Sequence, residues 1–177
     1  MERKVVIFCA SSTRIDPKYN AAAREVVRAL HALGYTVVSG GGAIGTMGAI
    51  TDESIRCGGR HIAVLPRFMK GLENPGVSEI VWTDTMSVRK EKMREGTQAV
   101  IALPGGIGTQ DELVETHTLR KLGQYHGELF ALNLDGFYDP YKALLDHYVE
   151  TGMMSAQDRD LLHFPETPEE LISYFKQ

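Results

Sequence analysis

Short runs of β-branched and apolar residues alternate along this sequence with longer stretches of helical periodicity, and that alternation leaves few folds open. Lys4 to Ala10 (KVVIFCA) reads as a buried strand. A helix is expected after it, with Asp16 as N-cap, Pro17 at the first helical position and Gly34 as the stop; Ala22, Val26, Val27, Leu30 and Leu33 share its apolar face. The same rhythm repeats. Strands are expected at Tyr35 to Ser39, His61 to Leu65, Glu79 to Trp82, Ala99 to Leu103 and Leu129 to Leu134. Helical stretches carry Ile44, Met47, Ile50 and Ile55 and then residues 87–96, 109–123, 140–151 and 167–175, with a polar loop over 66–77. Strand–helix–strand units joined by right-handed crossovers give a doubly wound, mostly parallel sheet. The expectation is an α/β, Rossmann-like fold of six to seven strands with helices on both faces, built by residues 1–177 as one domain.

Ligands of such sheets bind beyond the carboxyl ends of the strands. Three of those ends are unusual: Cys9-Ala10-Ser11-Ser12, Gly40-Gly41-Gly42, and Pro104-Gly105-Gly106-Ile107-Gly108-Thr109. Gly40, Gly42 and Gly45 have the spacing of a dinucleotide fingerprint, but the next strand ends Val64-Leu65-Pro66-Arg67 and lacks the acid that would hold the ribose hydroxyls. Arg67 leaves a phosphorylated dinucleotide as the one variant of that reading. The later loop is free of side-chain bulk at Gly105, Gly106 and Gly108. Backbone N–H groups can approach an anion there, and the helix expected to start near Thr109 turns its positive end to the same place. A phosphate fits, while the lysine and spacing of a triphosphate-binding P-loop are absent. Tight strand-to-helix turns without a ligand are the alternative reading of both loops.

Thr109-x-x-Glu112 also has the form of a capping box. Glu115 follows one turn later and is expected on the same face, aiming two carboxylates at the sheet edge. Met86-Ser87-Val88-Arg89-Lys90 is the nearest cationic cluster. Arg89 shares a helix face with Met93 and so turns toward the loop, leaving Lys90 and Lys92 more exposed; a solvated basic face is the alternative. Cys9, at the end of a buried strand, reads as a small hydrophobe rather than a nucleophile.

Nineteen Lys+Arg against 23 Asp+Glu give a net charge of −4, which argues against a nucleic-acid binder. Residues 1–127 carry 16 basic and 13 acidic side chains, residues 128–177 only 3 and 10, so an anion site belongs to the first part. Two cysteines supply neither a disulfide framework nor a four-ligand zinc site, and the six histidines include no pair at i, i+4; no metal is expected. Apolar runs such as Val5 to Ala10 fall far below the ~18 residues of a membrane helix, and the first residues lack a signal-peptide core. The cytoplasm is the expected compartment.

Taken together, Pro104 to Glu112 (PGGIGTQDE) resembles PGGxGTxxE, the signature of the LONELY GUY family of cytokinin-activating phosphoribohydrolases. Phe8 to Ser12 is similar to the family's FCGSS, Gly40 to Gly48 to its GGGxxGLMG, Met86-x-x-Arg89-Lys90 to its MxxRK, and Asn133 to Tyr138 to its NxxGYY segment. The resemblance implies a nucleotide-binding, Rossmann-like homodimer with a shared active site. It would hydrolyse the N-glycosidic bond of a purine nucleoside 5′-monophosphate to free base and ribose 5-phosphate, without a cofactor. By family position Glu112 is the catalytic carboxylate and Arg89 its partner. Gly105, Gly106, Ile107, Gly108 and Thr109 would grip the phosphate, Ser12, Gly41, Gly42, Met86 and Lys90 would line the site, and Glu115 would touch the ribose or support Glu112. Family members long carried the label of lysine decarboxylases, yet no lysine here stands out as a Schiff-base candidate. Ser87, Ile107 and Leu119-Arg120-Lys121 depart from the plant pattern, so the resemblance leaves the base open between an isopentenyl-type adenine and plain adenine. A non-catalytic carrier similar to the molybdenum-cofactor carriers and an AMP-type nucleotide sensor are the competing readings. Neither needs the Arg89 and Glu112 pair.

Overall fold

A computed structural model describes residues 2–176. Seven strands form one sheet: β1 (Lys4–Phe8), β2 (Thr36–Ser39), β3 (His61–Pro66), β4 (Glu79–Thr83), β5 (Ala99–Ala102), β6 (Glu128–Ala131) and β7 (Leu162–His163). Their order is β4-β3-β2-β1-β5-β6-β7, and every pairing is parallel. The chain thus winds outward from β1 to β4, returns across β1 and winds outward again from β5. The reversal opens a crevice at the carboxyl ends of β1 and β5, the usual place for a ligand in an open α/β sheet.

The helices are α1 (Pro17–Ala32), α2 (Gly45–Arg56), α3 (Met86–Arg94), α4 (Ile107–Lys121), α5 (Asp139–Glu150), α6 (Ala156–Arg159) and α7 (Pro168–Ser173). Alternate residues of β1 point to opposite faces. Val5, Ile7 and Cys9 pack with Val26 and Leu30 of α1, Ile50 of α2 and Leu171 of α7. Val6 and Phe8 pack with Met93 of α3, Leu113 of α4 and Leu145 of α5. Burial on both faces is why the central strands read as continuous apolar runs. As expected, Asp16 caps α1 by accepting from the Lys18 amide at 2.9 Å, Pro17 opens the helix, and Gly34, at φ 79°, follows its end.

Three differences from the sequence reading have physical causes. The first strand stops at Phe8 and β6 at Ala131, where the register pairs Phe8–Ala102 and Ala102–Ala131 end the ladders on β5. Helix α4 begins at Ile107, two residues before the Thr109 that sequence suggested. Elements α6 and β7, of four and two residues, are too short to show a period, and β7 exists only because Leu162 and His163 align with Leu129 and Phe130.

Helices α1 and α2 are clamped by Glu53, a buried carboxylate that accepts from Arg28 Nε at 2.9 Å and from Arg56 Nε at 3.0 Å, with Arg56 Nη2 also in contact. The Arg56 bond and then Arg28 overcome burial and hold the carboxyl at about 2 instead of its ordinary 4.5. Its share of stability is present above the ordinary value and disappears as pH falls toward 2. No helix among the described residues is long and apolar enough to cross a membrane.

Candidate active site

Arg89 and Glu112 are 23 positions apart in sequence and meet at the sheet edge. Arg89 stands in the first turn of α3, Glu112 in the second turn of α4, and Arg89 Nη1 donates to Glu112 Oε1 at 2.8 Å. Their residue exposures are 6% and 8%, so the pair is largely withdrawn from water. Arg89 Nε donates to the Val64 carbonyl at the end of β3 at 2.9 Å. Its Nη2 lies against Gly40, where a Cβ would overlap it. Strand β3, the end of β2 and helix α4 therefore frame one guanidinium. Burial raises the Glu112 carboxyl above its ordinary value, and the Arg89 charge and hydrogen bond pull the other way without fully compensating. Cys9 lies beneath the pair, its thiol pushed far up by burial and then by the Glu112 charge, so it supplies no thiolate.

The loop before α4 has the construction of an anion cradle. Gly106 is the N-cap in an extended conformation, with no side chain capping the helix. The Gln110 amide is the first to find a helical carbonyl, on Gly106 at 3.0 Å, so the amides of Ile107, Gly108 and Thr109 point out of the helix start. A Cβ at Gly106 or Gly108 would meet open space. Gly105 is filled from behind by Thr109, whose buried Oγ1 has no hydrogen-bond partner among the described residues. The expected capping box is not formed. Thr109 is the third helical residue rather than the cap, and Glu112 reaches across to Arg89 instead of back to the helix start.

Lys90 and Glu115 depart from expectation too. Lys90 Nζ lies 3.0 Å from both Asp111 Oδ2 and Glu115 Oε2, and Arg94 Nη1 lies 3.1 Å from Glu115 Oε2. The Lys90 side chain is thus mostly covered, while Lys92 is exposed and pairs with Glu95. Glu115 turns away from the sheet edge because i, i+3 spacing leaves it about 60° around the helix from Glu112. Sequence reasoning missed Asp111 and Arg94; the signal was there in Lys90/Arg94 and Asp111/Glu115, two complementary i, i+4 pairs.

The remaining candidates surround the mouth. Ser12 is exposed and accepts from the Arg14 amide at 3.2 Å. Met86 opens α3, exposed, after the cap Thr85. Ile107 is 86% exposed at the lip of the cradle. Gly41 and Gly42 have a different part. The Gly41 amide donates to Ser39 Oγ at 3.1 Å, its carbonyl accepts from Asn74 at 2.8 Å, and Gly42 forms an isolated antiparallel bridge with Glu73. These contacts strap the 66–78 loop onto the glycine loop, and Glu73 Oε2 accepts from the Gly71 amide. Arg67, the basis of the dinucleotide variant, pairs instead with Asp84 at 3.1 Å in the open. Gly45 is required by packing as well as by its φ of 62°: a Cβ would fall 2.6 Å from the Ser11 carbonyl carbon.

Comparison with known proteins gives the site a context. The family described as "possible lysine decarboxylase" matches residues 47–175. The probable cytokinin riboside 5′-monophosphate phosphoribohydrolase LOGL2 of Oryza sativa subsp. japonica is 36% identical over 99% of this chain and 72% of its own length. The cytokinin riboside 5′-monophosphate phosphoribohydrolase LOG of the same plant is 36% identical over 96% and 71%. LOG2 of Arabidopsis thaliana, of the same activity by name, is 35% identical over 90% and 76%. Among solved structures, the molybdenum cofactor carrier protein of Chlamydomonas reinhardtii superposes with a TM-score of 0.78 at 16% identity, covering 100% of this chain and 98% of that one. A likeness at that identity concerns the fold alone.

Proposed function

The chain belongs to the family of cytokinin riboside 5′-monophosphate phosphoribohydrolases, and from that premise we propose that it hydrolyses the N-glycosidic bond of a purine nucleoside 5′-monophosphate. The observation that carries this reading is the buried 2.8 Å pair of Arg89 and Glu112 beside the glycine-built N-terminus of α4, whose first amides no side chain caps. The phosphate sits on the amides of Ile107, Gly108 and Thr109, with Gly105 and Gly106 leaving room for its approach. The bond between C1′ and the base breaks with its electron pair going to the base, which builds positive charge on the ribose. Glu112 faces that charge and takes a proton from the water that adds to C1′; the departing base leaves with a proton in its place, so one water is consumed and free base and ribose 5-phosphate are formed. Arg89 orients Glu112 and favours its ionised form against the pull of burial. Lys90 and Glu115 tie α3 to α4 one turn away and keep the pair in register, while Ser12, Gly41, Gly42 and Met86 shape the mouth for ribose and base. The relatives' names support a cytokinin-type base, with plain adenine as the alternative.

Residues 1–177 act on this reading as one nucleotide-binding domain, cytoplasmic and with unpaired Cys9 and Cys57 as suits a reducing compartment. The active unit is a homodimer. Ile107 and Val114 on α4, with Val88 on α3, put exposed apolar side chains beside the site, where a second copy would cover them and complete the pocket. Light scattering should give about twice the chain mass of 19.6 kDa, and a value near a single chain overturns this part.

The reading is tested by comparing AMP and isopentenyladenosine 5′-monophosphate with their nucleosides. The expected preference for monophosphates is at least about a hundredfold in kcat/KM, the scale of a site built around a charged group. Gly106→Ala should remain folded, because its Cβ meets no protein atom, and should raise KM for the monophosphate about tenfold by obstructing the cradle. Equal cleavage of nucleosides, or an unchanged KM in Gly106→Ala, removes the phosphate from this loop.

A further inference from the structure

We propose that Ser39 and His61 form a positioning pair for this reaction, fixing the Gly40–Gly41 backbone on which the Arg89 guanidinium rests. The inference depends on the hydrolytic reading of the Arg89 and Glu112 pair. Neither residue touches the reacting atoms.

In the β2/β3 register Ser39 lies beside Ala63, which places Ser39, Ala63 and His61 on one face of the sheet. Ser39 is 0% and His61 1% exposed. Ser39 Oγ lies 2.8 Å from His61 Nε2 and accepts from the Gly41 amide at 3.1 Å. We assign the serine proton to His61 Nε2, its one acceptor among the described residues, and with it the imidazole hydrogen to Nδ1. Burial lowers the His61 pKa to about 4, so the imidazole is neutral at neutral pH and has one ring nitrogen free to accept. With that assignment the hydrogen bonds run from Gly41 to Ser39 to His61.

His61 Nδ1 is buried and has no hydrogen-bond partner among the described residues. A half-satisfied imidazole in a strand interior is a poor choice for stability alone, and an apolar side chain would avoid its cost. What the imidazole provides is an acceptor that pins Ser39, and through Ser39 the Gly41 amide. The pinned peptide is the floor of the site. A Cβ at Gly40 would overlap Arg89 Nη2, and Gly41, at φ 67°, has its Cα against Ala63. The neighbouring Val64 carbonyl receives Arg89 Nε. A shift of a few tenths of an ångström in Gly40–Gly41 moves the guanidinium, and with it the aim of Glu112.

The test is steady-state cleavage of AMP or isopentenyladenosine 5′-monophosphate by wild type, Ser39→Ala, His61→Leu, His61→Gln and the Ser39→Ala/His61→Leu double variant, each checked for folding by circular dichroism and melting temperature. Ser39→Ala should lower kcat about tenfold, the effect of one lost buried hydrogen bond felt at the transition state, with KM within about twofold. His61→Leu should match it. The double variant should be no worse than either single one, since both remove the same pin. His61→Gln, whose amide oxygen can accept in place of Nε2, should return to within about threefold of wild type. A folded Ser39→Ala with wild-type kcat, multiplicative losses in the double variant, or no difference between His61→Gln and His61→Leu overturns the proposal. Should Ser39→Ala fail to fold, the His61→Gln and His61→Leu comparison decides alone. If wild type releases no base from any monophosphate, the hydrolytic reading fails and this inference with it; if wild type is active and the variants match it, only this inference fails.

Discussion

Replacing Glu112 by Gln is expected to lower kcat by more than about a hundredfold while leaving the fold intact and KM changed little. The amide oxygen can still accept from Arg89 Nη1, whose present distance to Glu112 is 2.8 Å, so positions in the site are kept and only the charge is removed. Without a negative charge nothing opposes the positive ribose, and the attacking water loses its proton acceptor. A loss of this size with a wild-type circular dichroism spectrum separates chemistry from folding. A Gln variant with wild-type turnover would move the catalytic role to another residue.

Arg89→Ala is expected to produce a loss of similar size by a different route. Burial already raises Glu112, and Arg89 is the largest influence lowering it. With the guanidinium gone, the carboxyl rises further and a larger fraction is protonated at neutral pH. The acidic limb of the kcat/KM profile should therefore move to higher pH, and part of the activity should return as pH is raised. The stability sign follows the same direction. A carboxyl raised in the folded state favours folding most at low pH, and that contribution is lost as pH rises through the raised value. Arg89→Ala should thus lose melting temperature more steeply than wild type between acid and neutral pH. Parallel pH profiles for variant and wild type would contradict the electrostatic role of Arg89.

Much of the fold was readable because strands buried on both faces and amphipathic helices have separate periods, and right-handed crossovers leave few ways to arrange them. Asp16, Pro17 and Gly34 bounded α1 through chemistry that acts within a few residues. The glycine loops marked the ligand edge for the same local reason. What escaped was set by distance in sequence or by small angles. The Arg89 and Glu112 contact depends on where α3 and α4 land on the sheet, and only family resemblance joined the two residues beforehand. Thr109 looked like a cap, but Gly106, three residues earlier, takes that place. Lys90 was expected to line the site and Glu115 to touch the ribose or support Glu112; their side chains join each other, Asp111 and Arg94 across α3 and α4. Ser39 and His61 were read as a strand end and a strand start, and their pairing appears only with the β2/β3 register.

The most direct measurement of the account is a chromatographic balance of products from AMP and isopentenyladenosine 5′-monophosphate, run in parallel on wild type and Glu112→Gln. The account predicts free base and ribose 5-phosphate in equal amounts from wild type, and no release above background from the variant. Nucleotide that stays intact on the wild-type protein, or equal release by both proteins, would contradict it.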